Sequence, residues 1–361
     1  MNSKQHSIPR TGSHGKVTRL AVRSLSVAIV FAMASAAQAQ SISPVGGVVT
    51  VGDANIVQNG GNTTITQSTG NVVIDWQSFS IGTGQTVQFV QPGSSSVALN
   101  RVLGADPSLI LGNLLSNGKV FLLNPNGILF GAGSSVNVGS LVASTMRLSN
   151  ADFMAGNYAF TDAGAGSVVN LGDINATGGG YIALMGRNVS NQGVISARLG
   201  SVALVGGEAA TLDVAGDGLL NVSVSRGALN ALVENGGLIR ADGGRVLLTA
   251  QAAGNLLNTV VNNTGVIQAR TIENRNGTIL LLADKQTGSV NVAGTLDASA
   301  PSGGNGGFIE TSAAHVNVRD GVQVTTAAAH GNTGQWLIDP QDFTIGSSNG
   351  DNISGATLSA E

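Results

Sequence analysis

Few side chains outside a basic leader could do chemistry, and their spacing is poor. His315 and His330 stand fifteen residues apart, which is not a spacing at which two imidazoles share a metal. Asp339 and Asp342, in Trp336-Leu-Ile-Asp-Pro-Gln-Asp342, could form a carboxylate pair. Three apart on an extended chain, however, they point to opposite faces. Gly303-Gly-Asn-Gly-Gly307 lacks both the Asp of a calcium-binding nonapeptide and the Lys of a phosphate loop. The chain has no cysteine, which removes disulfides, thiolate zinc sites and thiol nucleophiles. Asn62, Asn175 and Asn276 each open an Asn-x-Ser/Thr triplet, as chance provides in a chain so rich in Asn and Thr. Repetitive β folds do host polysaccharide-degrading enzymes, but those align acids at one position of successive repeats, and no such column is visible. The residues therefore predict a non-enzyme with no cofactor and no metal.

Composition points to elements rather than to a site. Of 361 residues 52 are glycine, only 10% are charged and 4% aromatic, yet 42% are hydrophobic. Disorder would need low hydrophobicity with high charge. A helical bundle would be rich in Glu, Lys and Leu and poor in Gly. Collagen would need a strict three-residue glycine period. What remains is an apolar, glycine-punctuated β protein covered by Asn, Ser, Thr and Gln.

The first forty residues read as a targeting segment. Lys4, Arg10, Lys16, Arg19 and Arg23 precede a short apolar run, Leu25-Ser-Val-Ala-Ile-Val-Phe-Ala-Met-Ala34, and then Ala37-Gln-Ala39. This is the layout of a secretory signal peptide over 1–39, with Ala37 and Ala39 before the cut and Gln40 after it. The run is about half the length a membrane span needs. Loss of the leader removes five positive charges and takes the formal net charge from −3 to −8. That balance disfavours nucleic acid and anionic lipid as partners, and no later segment is long and apolar enough to span a membrane.

From about residue 170 a pattern repeats: Gly172-Asp-Ile-Asn-Ala176, Gly193-Val-Ile-Ser-Ala197, Gly237-Leu-Ile-Arg-Ala241, Gly265-Val-Ile-Gln-Ala269 and Gly294-Thr-Leu-Asp-Ala298. Gly218-Leu-Leu-Asn-Val222 reads as a weaker copy. A second short strand follows most copies, as in Ser201-Val-Ala-Leu204, Arg245-Val-Leu-Leu248 and Thr278-Ile-Leu-Leu281. Alternation at period two marks strands, and regular spacing marks a solenoid whose units must stack to bury their apolar sides. The predicted fold is all-β, a right-handed parallel β-helix with an N-terminal cap region; a β-sandwich with irregular turns is the alternative. Corners are expected to need left-handed or otherwise strained backbone, which Gly and Asn supply most easily. Stacked Asn and Thr are expected to bond in ladders where stacked charges would repel. At ~23 residues per coil the mature chain would make on the order of 14 coils, a rod of about 65 Å.

Residues 40–165 hold most of the mature aromatics and prolines. They carry Ile74-Asp-Trp-Gln-Ser-Phe-Ser-Ile81, Val87-Gln-Phe-Val-Gln-Pro92, Ser96-Val-Ala-Leu-Asn-Arg-Val102, Ile110-Leu-Gly-Asn-Leu114, Asn117-Gly-Lys-Val-Phe-Leu-Leu-Asn-Pro-Asn-Gly-Ile-Leu-Phe-Gly131 and Val136-Asn-Val-Gly-Ser-Leu-Val-Ala-Ser-Thr145. Trp76 and Phe79, three apart, read as a bend covering the open N-terminal end of the solenoid. Arg101 sits in a strand pattern, as solvated or salt-bridged arginines do. Asn124-Pro-Asn-Gly127 lies between apolar strands and suits a tight turn: Pro125 fixes φ, Asn126 tolerates the next position, and Gly127 takes a left-handed exit.

In order and wording, these six motifs resemble the N-terminal secretion domain of filamentous-haemagglutinin-type exoproteins, nearest the high-molecular-weight adhesin and haem–haemopexin-utilisation branch. The resemblance covers about residues 41 to 300; the Asn-Pro-Asn-Leu found upstream in the filamentous haemagglutinin branch is absent. It implies two-partner secretion. The chain would cross the inner membrane through the Sec machinery, be recognised by an outer-membrane β-barrel with periplasmic POTRA modules, and fold at the cell surface of a Gram-negative bacterium. It also implies a recognition role for Asn100, Arg101, Asn124, Pro125, Asn126, Gly127 and Ile128. The expected organisation is a signal peptide (1–39), a cap and secretion-motif part (40–165), β-helix repeats (166–300) and the start of further, truncated β-helix (301–361). For the exported body, adhesion is the first expectation; haem or haemopexin capture, then a toxin-delivery stalk, are the alternatives.

Overall fold

In a computed structural model, the residues described are 42–361 apart from 215–218, 254–258, 348–350 and 361. The leader, with Ala37, Ala39 and Gln40, lies outside them. The five full Gly-x-Ile-x-Ala copies become one wall of a coil. Their strands, Asp173–Ala176, Val194–Ser196, Leu238–Arg240, Val266–Gln268 and Thr295–Asp297, pair in parallel and in register. Ile174, Ile195, Ile239, Ile267 and Leu296 therefore stack as one inward row, each at most 1% exposed. The second strand of each repeat builds another wall, where Val202, Val246 and Ile279 stack beside Leu204, Leu248 and Leu281.

Three sheets enclose this core. The first has eleven strands, from Val48–Val51 to Gln335–Asp339; the second has eight, from Ser108–Ile110 to His315–Val318; the third has eleven, from Ala54–Asn59 to Gln323–Thr325. Successive strands of a sheet are joined through the other two walls, the right-handed crossover that parallel connections adopt. The fold is a parallel β-helix. The first and third sheets each begin with an antiparallel pair, Val48–Val51 on Asn71–Trp76 and Ala54–Asn59 on Asn62–Gln67, and the parallel coils start above these. Stacking continues in the same sheets across residue 165 and on to Asp339.

Three expectations need correction. The first sheet holds ten parallel strands above its antiparallel edge, not 14, and at ~4.8 Å per step they span about 43 Å. The missing coils are residues spent elsewhere. The weak copy at 218–222 is one such place: Gly218 lies outside the described residues, and Leu220–Arg226 forms an antiparallel hairpin with Ala209–Val214 outside the helix. The corner glycines, moreover, are mostly not left-handed. Gly180, Gly200, Gly237, Gly244 and Gly265 are absent from the positive-φ set, but a Cβ on any of them would lie 1.7–2.2 Å from the carbonyl oxygen of a glycine one coil below. Close approach of stacked backbones, not backbone handedness, selects glycine there.

The hairpin has a purpose in packing. Its strand Ala209–Val214 also pairs with Tyr158–Phe160, giving a three-stranded antiparallel sheet on the outer face of the first wall. The short helix Asn150–Ala155 joins it, capped by Ser149 Oγ accepting the Asp152 N–H at 3.0 Å and ended by left-handed Gly156. Between the two layers lies a second apolar core, in which the Phe121 ring contacts Phe153, Tyr158 and Phe160 at 5.0–6.3 Å. The first wall is thus apolar on both sides, which explains why its strands read as continuous hydrophobic runs.

Candidate functional site

The secretion motifs meet where the first wall turns into the second. Lys119–Leu123 ends at Asn124, and Ile128–Phe130 resumes after the turn. Gly127 N–H donates to the Asn124 carbonyl at 3.0 Å, and Gly127 has φ +114°, as the sequence requires of the exit position. The Asn124 side chain is the centre of the corner. Its Oδ1 accepts the Asn126 N–H at 3.0 Å, and its Nδ2 donates to the Asp106 carbonyl and to Ser108 Oγ, both at 3.0 Å, in the coil below. Its backbone N–H donates to Ser144 O at 2.9 Å in the next strand. Asn124 is fully buried with every polar atom engaged.

The neighbours are cut to fit this corner. Gly166 N–H donates to the Pro125 carbonyl at 3.1 Å. A Cβ on Gly164 would lie 2.1 Å from Pro125 O, and one on Gly166 would lie 2.2 Å from the Asn126 carbonyl carbon. Pro125 is half-buried and Ile128 lies in the core. Asn126 is exposed, although its Nδ2 donates to Gly104 O at 2.8 Å.

Asn100 and Arg101 alternate across their strand. Asn100 points inward and is fully buried; its Oδ1 accepts Trp76 Nε1–H at 3.0 Å and its Nδ2 donates to Ala98 O and Phe121 O. Trp76 and Phe79 pack edge to face with centroids 5.4 Å apart, each 1% exposed. They fill the first coil from inside, with Gly47 of the leading segment against the indole. Arg101 points outward and grips Asp75 through Nε (2.8 Å) and Nη2 (3.0 Å), a two-pronged pair across neighbouring strands. With both side chains partly exposed, that pair is worth about 1 kcal/mol. Arg101→Gln and Asp75→Asn should each lower the urea midpoint slightly, and a double-mutant cycle should return a coupling of that size.

The seven motif residues therefore divide among three environments: the core (Asn100, Ile128), the outer face (Arg101) and the corner (Asn124, Pro125, Asn126, Gly127). Sequence reading missed their supports, Asp75, Ser108, Gly164 and Gly166. Only Asp75, which stands directly across the ladder from Arg101 in Ile74-Asp-Trp76, carried any signal. His315 and His330 are exposed, Asp339 is bound by Lys285, and among the described residues no cluster could hold a metal ion. A groove of about 350 Å³ is lined by Gln88, Phe89, Val90, Leu115, Ser116, Asn117 and Asn137, which offer amides and a hydroxyl but no titratable group. No helix among the described residues is long and apolar enough to cross a membrane.

A family model for the TPS secretion domain matches residues 40–298. The chain belongs to the TPS secretion domain family. This domain marks exoproteins of two-partner systems, which are secreted through the outer membrane to the cell surface or beyond, and it implies a cognate outer-membrane transporter. A heme/hemopexin-binding protein of Haemophilus influenzae (strain ATCC 51907 / DSM 11121 / KW20 / Rd) is 37% identical over 274 residues, 74% of this chain and 30% of that protein. A second heme/hemopexin-binding protein of Haemophilus influenzae is 32% identical over 243 residues, 61% of this chain and 26% of that one. The HMW1 secretion domain from Haemophilus influenzae matches with a TM-score of 0.66 at 25% identity, over 86% of this TPS chain and 99% of that one. The chain thus spans less than a third of the length of the curated relatives it matches.

Proposed function

We propose that the motif residues of this TPS domain are read by the periplasmic POTRA modules of its transporter while the chain is unfolded, and that they close the first coils once it is outside. The observation that supports this is burial: Asn100 and Asn124 are fully enclosed, with their amides spent on neighbouring coils, so a partner can reach them only before folding. Strand addition to a POTRA edge suits such a chain, because it reads backbone and alternate side chains rather than charge. The route begins with Sec export of the precursor. Deleting Asn124–Gly127 is expected to leave the protein in the periplasm, scored by fractionation of cells carrying the transporter. Export at the normal level would overturn the reading for that turn. Asn126→Ala, which keeps the buried amide of Asn124 and so the folded corner, is expected to lower export as well, because the side chain is read before folding.

For the whole exoprotein we propose haem or haemopexin capture, ahead of host-surface adhesion. Identity favours it: 37% to a heme/hemopexin-binding protein against 25% to the HMW1 domain. The test is titration of the full exported protein with haem and with haemopexin; binding to neither would return adhesion to first place.

A further inference from the structure

Asp339 ends the last strand of the first wall and is followed by Pro340. Two donors converge on the carbonyl of this peptide bond. The Lys285 ammonium is bound to the Asp339 carboxylate and also donates to the backbone carbonyl oxygen of the same residue at 3.3 Å. The Ala313 N–H donates to that carbonyl oxygen as well, also at 3.3 Å. The far side of the bond is clamped: Gln341 N–H donates to Ala314 O at 3.1 Å and Gln341 Nε2 to Lys285 O at 2.8 Å. The turn carrying Lys285 is held in turn by Asp284, whose Oδ1 accepts the N–H groups of Gln286 (2.8 Å) and Thr287 (3.0 Å).

We propose that the Asp339–Pro340 bond is a self-cleavage site built from these contacts. An Asp carboxylate can attack its own backbone carbonyl carbon and close a five-membered anhydride. Proline is the best leaving group for this, because its nitrogen is a tertiary amide. One cation ties the attacking carboxylate to the carbonyl it attacks, and two donors face the oxygen on which negative charge develops. In the step, the Asp339 carboxylate oxygen bonds to the Asp339 carbonyl carbon and the bond to Pro340 nitrogen breaks. That nitrogen takes a proton from solvent and becomes a free secondary amine. Water then opens the anhydride to give a C-terminal Asp339. No oxidant, metal or other reactant enters, and the need for a proton makes the reaction faster in mild acid. The product is a β-helix ending at Asp339, separated from residue 340 onward.

The chain carries its own reference in Asp106–Pro107. The Asp106 carbonyl accepts the Asn124 amide, and Asp106 makes no ion pair with a lysine or arginine among the described residues. The experiment incubates the full chain, exported through its transporter and checked as folded by circular dichroism, in mildly acidic buffer, with fragments read by intact mass. The expected result is scission at Asp339–Pro340 about tenfold or more faster than at Asp106–Pro107. Lys285→Gln should abolish that advantage, Asp339→Ala should abolish the cut, and urea should make the two bonds equal. Equal rates at the two bonds in the folded chain, or unchanged scission in Lys285→Gln, would overturn the proposal. Both side chains are about half exposed, so neither substitution threatens the fold.

Discussion

Adding one methyl group at Gly200 is expected to destabilise the β-helix by about 3 kcal/mol or more. Gly139, Gly180, Gly200 and Gly244 form a column at the corner entering the first wall. A Cβ on Gly180 would lie 1.9 Å from Gly139 O, one on Gly200 1.7 Å from Gly180 O, and one on Gly244 1.9 Å from Gly200 O. In each case the obstacle is backbone, which cannot swing aside as a side chain can. Relief would require the coils to part, breaking the bond from Ser201 N–H to Gly180 O (3.2 Å) and straining the six-residue ladder between Tyr181–Gly186 and Ser201–Gly206. Urea unfolding of Gly200→Ala measures the effect. Gly178→Ala is the control: nothing lies within 4 Å of its Cβ and its φ is not left-handed, so its change should stay within about 0.5 kcal/mol. A small shift for Gly200→Ala would show that the coils stack with more slack than this geometry allows.

The second large effect concerns a buried column of amides. Asn170, Asn191, Asn235 and Asn263 occupy one position of four successive coils, each with 0% exposure. Each Nδ2 donates to the next Oδ1, at 2.8, 2.7 and 2.7 Å. Below the column stands Phe130 and above it Val292, so the place itself tolerates apolar side chains. Asn235→Ala removes the partner of two buried groups at once, the Asn191 amide and the Asn263 carbonyl oxygen. At about 1–3 kcal/mol for each orphaned group, the loss should be roughly 3–5 kcal/mol. Replacing all four by Val should cost much less than four single losses, because no amide is then left unpaired. Urea midpoints for the single and quadruple variants test this; additive losses would mean the ladder is not the source of the effect.

The repeat was legible because its physics is local. Each coil must place one large apolar residue inward at the same height, so Gly-x-Ile-x-Ala recurs wherever a coil does. The Asn column could also have been read, since Asn-x-Gly opens four of the five copies: Asn170-Leu-Gly172, Asn191-Gln-Gly193, Asn235-Gly-Gly237 and Asn263-Thr-Gly265. Position 218 misled because a hairpin strand has the same two-residue period as a coil strand. What separates them is the partner across the ladder, and that is not local. The role of the corner glycines was hidden for a similar reason: the carbonyl that forbids a side chain at Gly200 belongs to Gly180, a coil away. In the motif region, the Asn124 turn was readable from Pro125 and Gly127. Its buried supports at Ser108, Gly164 and Gly166 were not, because they are set by stacking rather than by sequence proximity.

The second apolar core has a kinetic consequence. Coil upon coil, the β-helix needs contacts only between neighbours, so it can lengthen steadily as chain becomes available. The outer layer breaks that rule: Tyr158–Phe160 finds its partner strand only at Ala209–Val214, about fifty residues later, and that strand needs Leu220–Arg226 to complete the sheet. Until residue 226 is present, Tyr158–Phe160 has no complete sheet to join and the outer side of the first wall from Phe121 to Val205 is not sealed. Growth should therefore show a lag followed by a sudden gain in protection, an amide-exchange step in which the strands around Phe121 slow together rather than one coil at a time. After that step, withdrawing a single coil means opening a whole side of the molecule, so a chain that has passed it cannot readily slide back.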